Sequence, residues 1–249
     1  RVLAWLAEQT DLTKAFAEGD DVYVKMAARI YDVPEKEVTK DQRFVGKTTI
    51  LGAGYGMGAA KFQVQLKNFG LDVDLGEARR IIKIYRETNW KINKLWRDAQ
   101  RALVGLSQKE KTELGVPGVL EVVPKETAIR LPSGLLLRYD YLQFEQTDRG
   151  PEFSYKTRRG RTRIYGGKVI ENVCQAVARC IIGEQMLKIA KKYRIALTVH
   201  DSAVCCVKDD EVVEARAYIE QCMRWTPEWA TGLPIDCESG IGKSYGDCE

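Results

Sequence analysis

The chain reads as a run of amphipathic helical segments, interrupted once by short strands. In residues 1–17, RVLAWLAEQTDLTKAFA, Val2, Leu3, Leu6, Leu12 and Phe16 recur at roughly helical spacing and predict a core-packing helix. The run DVYVKMAARIY follows Gly19-Asp20. It places Val22, Met26 and Ile30 on one face, offers Asp21 as N-cap, and ends at Val33-Pro34. Residues 41–57, DQRFVGKTTILGAGYGM, predict another helix, and 58–69 a further one. Residues 75–103 predict one long helix with Ala78, Ile81, Ile82, Tyr85, Ile92, Leu95 and Trp96 on its apolar face. Its other face is cationic (Arg79, Lys83 and Arg97 among others). Solvation accounts for most of that charge, with a few residues as candidates for template phosphate contact.

The period changes at 116–145, where β-branched and aromatic runs are punctuated by Pro and Gly, and Pro132-Ser133-Gly134 marks a turn between two strands. A helix is expected over 169–192 and an acidic amphipathic one over 209–225. Between them, apolar runs flank His200-Asp201-Ser202, which predicts strand, tight turn, strand over 195–207. Residues 234–246 read as a final strand and turn. The whole is α+β.

Composition changes this picture little. The chain has 249 residues, 45% apolar and 30% charged, with a net charge of +4, which suits an ordinary globular protein. No apolar run approaches the roughly 20 residues of a membrane span, and there is no signal-peptide pattern. No membrane partner is expected, and the localisation expected is cytoplasmic. The opening on Arg1 inside an amphipathic pattern suggests a piece of something longer. Seven cysteines form no CxxC pair, so neither a zinc site nor a disulfide framework is expected. They should be reduced, intracellular and mostly buried.

The candidate chemistry starts in 41–57. Arg43, Lys47, Leu51 and Tyr55 fall at steps of four, and an α-helix turns about 100° per residue, so each step drifts only about 40°. One face thus offers two cations, an apolar ledge and an aromatic ring, in the order of a nucleoside triphosphate's phosphates, sugar and base. A surface helix with merely solvated cations is the alternative. Gly46-Lys47-Thr48 is not a P-loop end, because Asp41 stands where that motif needs Gly. Gly52, Gly54, Gly56 and Gly58 alternate, and their helix cost of roughly 1 kcal/mol each implies a close backbone approach or a bend.

Between Pro151 and Lys168, the cations Lys156, Arg158, Arg159, Arg161 and Arg163 interleave with Tyr155 and Tyr165. This is a nucleic-acid footprint if it is not simply a solvated loop. Gln175 is either a polar residue at a helix margin or an amide that reads minor-groove acceptors. A lone histidine such as His200 is usually structural. Asp201, at a turn between apolar strands, is a hard-oxygen candidate for Mg²⁺.

Arg43-x3-Lys47-x7-Tyr55-Gly56 resembles motif B of the family A DNA polymerases, the mobile O helix of the fingers. Glu171-Asn172-x2-Gln175-Ala176-x-Ala178-Arg179 is similar to the phage form of that family's Q helix. Val199-His200-Asp201-Ser202 is similar to motif C, with Ser202 where Glu is usual. Tyr23 stands where the family often has a phosphate-contacting His, and Leu51 where it has Phe or Tyr at the sugar. The resemblance implies template-directed nucleotidyl transfer from dNTP to a primer 3′-hydroxyl, with two Mg²⁺ ions. Asp201 would be one metal ligand, and the motif A Asp would lie upstream of Arg1. It implies that Arg43, Lys47, Leu51, Tyr55 and Tyr23 bind nucleotide. Gln175, His200, Arg179, Arg158, Arg159, Arg161 and Arg163 would hold primer–template DNA. It also implies a helical fingers subdomain inserted in an antiparallel-sheet palm that is truncated at its N-terminus. The palm would take residues 1–17, the fingers with a β-rich insertion 18–168, and the palm again 169–249. Such a fragment would by itself be inactive. A non-catalytic nucleic-acid-binding module derived from a polymerase is the alternative.

Overall fold

The computed structural model describes residues 1–148 and 150–248. It divides into two compact units, Arg1–Cys174 and Gln175–Glu249. The class is α+β, with nine α-helices and eight short antiparallel strands among the described residues.

The first unit opens with α1 (Val2–Leu6) and α2 (Thr10–Ala17), where the periodicity predicts one helix. The break falls at Glu8, whose φ is 54°. Beside it Gln9 is 3% exposed. Its amide donates to Asp11 Oδ1 at 2.6 Å and its oxygen accepts from the Lys91 amide at 3.2 Å. A buried amide left unbonded costs about 1–3 kcal/mol, more than one extra helical turn returns.

Helix α3 (Val22–Tyr31) starts as expected on Asp21, whose Oδ1 accepts from the amides of Tyr23 and Val24 at 3.0 and 3.1 Å. Helix α4 (Lys40–Ala53) is started by a reciprocal cap between Thr39 and Gln42. It stops at Ala53, where Trp96 Nε1 donates to the Gly54 carbonyl at 3.0 Å. Gly56 then turns the chain at φ 83°, a conformation that favours glycine. Helix α5 (Ala59–Asn68) follows. The long helix expected over 75–103 is two, α6 (Leu75–Thr88) and α7 (Trp90–Gln108). Between them Asn89 is buried, and its Nδ2 donates back to the Tyr85 carbonyl at 3.1 Å. The same carbonyl also accepts from the Asn89 backbone amide at 2.9 Å, and side-chain back-bonding of this kind weakens and bends a helix.

Helices α3 and α4 pack backbone against backbone. A Cβ on Gly46 would meet the Tyr23 carbonyl oxygen at 2.2 Å. The core of the unit includes Leu6, Ile30, Phe62, Ile81, Tyr85 and Leu103, each almost wholly buried and worth roughly 1.5–3 kcal/mol.

The β-rich stretch forms two antiparallel sheets. One is β1 (Glu121–Val123), β2 (Ala128–Arg130) and β3 (Leu136–Arg138), with the Pro132-Ser133-Gly134 turn between β2 and β3. The other is β4 (Gln143–Thr147), β5 (Gly150–Thr157) and β6 (Gly160–Ile164). Phe153 and Ile164 pair across β5 and β6 and are buried. Tyr155, on the same face, meets Tyr139 edge-on at 5.3 Å.

Helix α8 (Gly166–Ile189) begins in the first unit, and the division falls within it. In the second unit β7 (Ile195–Val199) and β8 (Ser202–Cys205) form a hairpin, followed by α9 (Val212–Arg224). Ile189, Tyr193, Ala215 and Cys222 form its core. Gln185, fully buried, donates from Nε2 to the carbonyls of Met223 and Trp225 at 2.6 and 3.0 Å, fixing the end of α9.

The strand expected over 234–246 does not form. Arg224 donates to Asp236 Oδ1 and the Cys237 carbonyl, each at 3.0 Å, and Arg216 donates to Ser239 Oγ at 2.8 Å. Side chains of α9 therefore hold this segment in place of a ladder. Glu220 gathers Ser239, Arg224 and Arg216, and these three hydrogen bonds hold its carboxyl down at about 2. No disulfide forms among the described residues, but only Cys174 and Cys222 are buried. Cys206 is exposed and the rest are half-buried, which corrects the expectation of mostly buried thiols. Among the described residues no helix is long and apolar enough to cross a membrane.

Candidate functional site

The helix pair α3–α4 gathers three of the sequence candidates around one ring. Arg43 Cζ lies 5.4 Å and Lys47 Nζ 6.0 Å from the centroid of Tyr23. This follows from the contact at Gly46: with no side chain there, α4 sits directly on the Tyr23 carbonyl, and the cations on either side reach over the tyrosine. Arg43 Nε also donates to Asp21 Oδ2 at 2.7 Å. Burial pushes the Asp21 carboxyl up, but the Arg43 bond and the two capped amides outweigh it and leave it below the usual carboxylate range. Both cations are exposed, so the cluster is an open cationic surface that can receive an anion.

Leu51 is on the same helix and 52% exposed. Tyr55 is not on it. The helical face expected from Arg43 to Tyr55 ends at Ala53, and Tyr55 lies in the turn beyond. Trp96, far along the chain, sets that end point through the Gly54 carbonyl. Tyr55 is half-buried and its hydroxyl is pushed up to about 12, by burial first and then by Cys174 and Glu171. It is a neutral, partly sheltered ring.

The basic stretch is the β5–β6 hairpin. Its outward cations have separate roles. Arg161 donates from Nη2 to the Tyr141 and Ser154 carbonyls at 2.9 and 3.1 Å, so it holds the sheet together. Arg163 pairs with Glu152 at 3.1 Å, and Lys156 sits 5.2 Å over Tyr141. Arg158 and Arg159 occupy the turn, which is locked by Thr157 Oγ1 donating to the Gly160 carbonyl at 2.8 Å. Their side chains are exposed and form no ion pair among the described residues. Tyr141, 72% exposed beside Lys156, is a stacking candidate that residue spacing did not single out.

Gln175 and Arg179 are exposed one turn apart on α8. The hairpin of the second unit pairs Val199 with Ser202, which leaves His200 and Asp201 as a two-residue turn. His200 adopts φ 53°, a conformation in which histidine is several-fold enriched among non-glycine residues. Asp201 is exposed, and its carboxylate forms no ion pair among the described residues. The Ser202 hydroxyl donates back to the Val199 carbonyl at 2.8 Å. No group of three or more potential metal-binding side chains occurs among the described residues. The hairpin presents one free carboxylate, a fit to a single ligand position of a hard cation rather than to a whole coordination shell.

Comparison with known proteins agrees with the resemblance in the motifs. Residues 1–113 match the model of DNA polymerase family A. The chain is 31% identical over 264 residues to the DNA polymerase of Bacillus phage SP02, covering 98% of this chain and 39% of that protein. It is 24% identical to the DNA polymerase of Bacillus phage SP01, over 93% of this chain and 23% of the relative. It therefore spans well under half the length of either. Among solved structures, the POL domain of Pol1 from M. smegmatis, in complex with DNA primer-template and dNTP, shares the fold. Its TM-score is 0.67 at 22% identity, over 98% of this chain and 37% of that one. Residues 1–113 are thus similar to DNA polymerase family A, and nearly the whole chain is similar to phage DNA polymerases and shares the fold of a Pol1 polymerase domain.

Proposed function

We propose that the chain carries the nucleotide-binding fingers and part of the palm of a template-directed DNA polymerase, joining dNTPs to a primer 3′-hydroxyl. The observation that carries this reading is the cluster of Arg43 and Lys47 over Tyr23. Arg43 and Lys47 hold the triphosphate and offset charge that develops on it, a fixed arrangement that needs no reorganisation during reaction. Lys47 can also give a proton to the leaving pyrophosphate. Leu51 faces the sugar, and Tyr55 presents its ring to the base. The fingers take residues 18–168 with the sheets as an insertion, and the palm 1–17 and 169–249. Gln175, Arg179 and His200 meet the primer–template, and Arg158 and Arg159 contact its phosphates.

Asp201 would hold a Mg²⁺ ion as one of its ligands. When bound, such ions sharpen the attacking hydroxyl and steady the leaving group. The SP02 and SP01 relatives, named as DNA polymerases, support this reading. So does the structural relative, a polymerase domain in complex with DNA primer-template and dNTP. A second reading, a non-catalytic DNA-binding module, is favoured by Ser202, whose hydroxyl is spent on the Val199 carbonyl.

The test is primer extension by the full gene product that carries this chain, beside its Asp201→Ala version. The catalytic reading expects extension to be lost while DNA binding persists. Equal extension by both proteins removes Asp201 from the chemistry. Absence of extension by the unaltered protein, with DNA binding intact, favours the second reading.

A further inference from the structure

Asp21 is used twice, and only one use is accounted for by the fold. Its Oδ1 caps α3 through the amides of Tyr23 and Val24. Its Oδ2 takes the Arg43 Nε at 2.7 Å, across 22 residues of chain. The neighbouring Asp20 is engaged elsewhere, with Lys25 at 2.5 Å. The choice of nitrogen matters. A carboxylate that gripped both terminal nitrogens of Arg43 would occupy the fork that phosphate needs. Here Arg43 is held by Nε alone, and Nη1 and Nη2 form no hydrogen bond among the described residues. The Tyr23 ring, 5.4 Å from Cζ, limits the remaining rotation of the guanidinium.

We propose that Asp21 is a positioning residue for the incoming nucleotide, tethering Arg43 by its Nε so that both terminal nitrogens face the triphosphate already ordered. This rests on the reading that Arg43 and Lys47 receive that triphosphate. An arginine on an exposed surface otherwise surrenders its rotamer freedom when the ligand binds, and the tether removes that cost beforehand. The carboxylate also repels the triphosphate. That repulsion is screened by water and salt at this exposed surface, whereas the hydrogen bond is direct. Asp20, equally charged and adjacent, contributes the same kind of repulsion without the tether, and so serves as the control.

The test is steady-state dNTP kinetics of the full gene product with Asp21→Asn, Asp20→Asn, Arg43→Ala, Lys47→Ala and the Asp21→Asn/Arg43→Ala double variant. Asparagine caps a helix as well as aspartate, so α3 keeps its start and Asp21→Asn should melt with the unaltered protein. Its single oxygen cannot serve both the cap and Arg43. The expected result is a KM for dNTP raised about 5- to 10-fold by Asp21→Asn, the cost of ordering one freed arginine. Asp20→Asn should leave KM unchanged, and Asp21→Asn should add nothing once Arg43 is alanine. An unchanged or lowered KM for Asp21→Asn overturns the proposal, as does the same rise in the Arg43→Ala background. If Arg43→Ala and Lys47→Ala themselves leave KM unchanged, the triphosphate reading fails and this proposal with it. If they raise it and Asp21→Asn does not, only the tether fails.

Discussion

Gly46→Ala should destabilise the protein although it replaces the poorer helix former with the best one. In an open helix the change gains about 1 kcal/mol. Here the new Cβ would stand 2.2 Å from the Tyr23 carbonyl oxygen, 3.0 Å from the Ala27 amide nitrogen and 3.1 Å from Ala27 Cβ. The first contact is about 0.8 Å too close, and the obstacle is backbone, so no rotamer change relieves it. Helix α4 must back away from α3. Overpacking of this kind costs about 1–3 kcal/mol, more where backbone must move. Because the obstacle is backbone, the upper end of about 3 kcal/mol applies, and subtracting the propensity gain leaves a net loss of about 2 kcal/mol, which lowers Tm by about 4–8 °C in a protein of this size. The shift would also lengthen the Arg43–Asp21 bond and draw the cations off Tyr23, so dNTP affinity should fall as well. Gly183, inside α8, supplies the contrast. Nothing lies within 4 Å of its Cβ position, so Gly183→Ala should gain up to about 1 kcal/mol. Thermal and urea melts of both variants decide the matter. If Gly46→Ala melts at or above the unaltered protein, the close crossing of α3 and α4 is not real.

Two further outcomes follow from the hairpin and the tail. Arg158→Ala and Arg159→Ala should each reduce the slope of log binding constant against log salt for duplex DNA by about 0.9, read by fluorescence titration over a salt series. An unchanged slope for the pair would take these residues off the DNA, whereas Arg161→Ala should loosen the sheet itself, since Arg161 ties the Ser154 carbonyl of β5 to the Tyr141 carbonyl just ahead of β4. Glu220 is held near 2, below the ordinary carboxylate value of 4.5. Its stabilising contribution is therefore fully present above the unfolded value and lost as pH falls through the folded one. Limited proteolysis should show residues 236–239 loosening between about pH 4.5 and 2. Glu220→Gln should expose them at neutral pH, and an equally protected tail in that variant would refute the clamp.

Local chemistry made much of this legible from residues alone. Asp21 announced the start of α3 because an N-cap acts within three residues, and Pro132-Ser133-Gly134 announced its turn because those residues fix their own backbone. Arg43 and Lys47 were found together because helical spacing is local too. What spacing did not reveal depends on partners distant in the chain. Gln9 divides α1 from α2 by bonding near Lys91. Trp96 ends α4 before Tyr55 through the Gly54 carbonyl. The segment after Pro234 reads as a final strand and turn, yet α9 arginines take one of its carbonyls and its side chains instead. The Asp21–Arg43 tether belongs to the same class: nothing near either residue marks it, and only the α3–α4 crossing creates it.

The seam at Gly46 has a mechanical corollary. Two rods that touch main chain to main chain at one point, with no side chain at that point to change rotamer, have little freedom to shear there. If the second rod swings, the first and its aromatic platform travel with it. The Arg43–Lys47 cluster would then be carried as a finished handle rather than assembled at the end of such a swing, and any hinge must be sought outside α3 and α4.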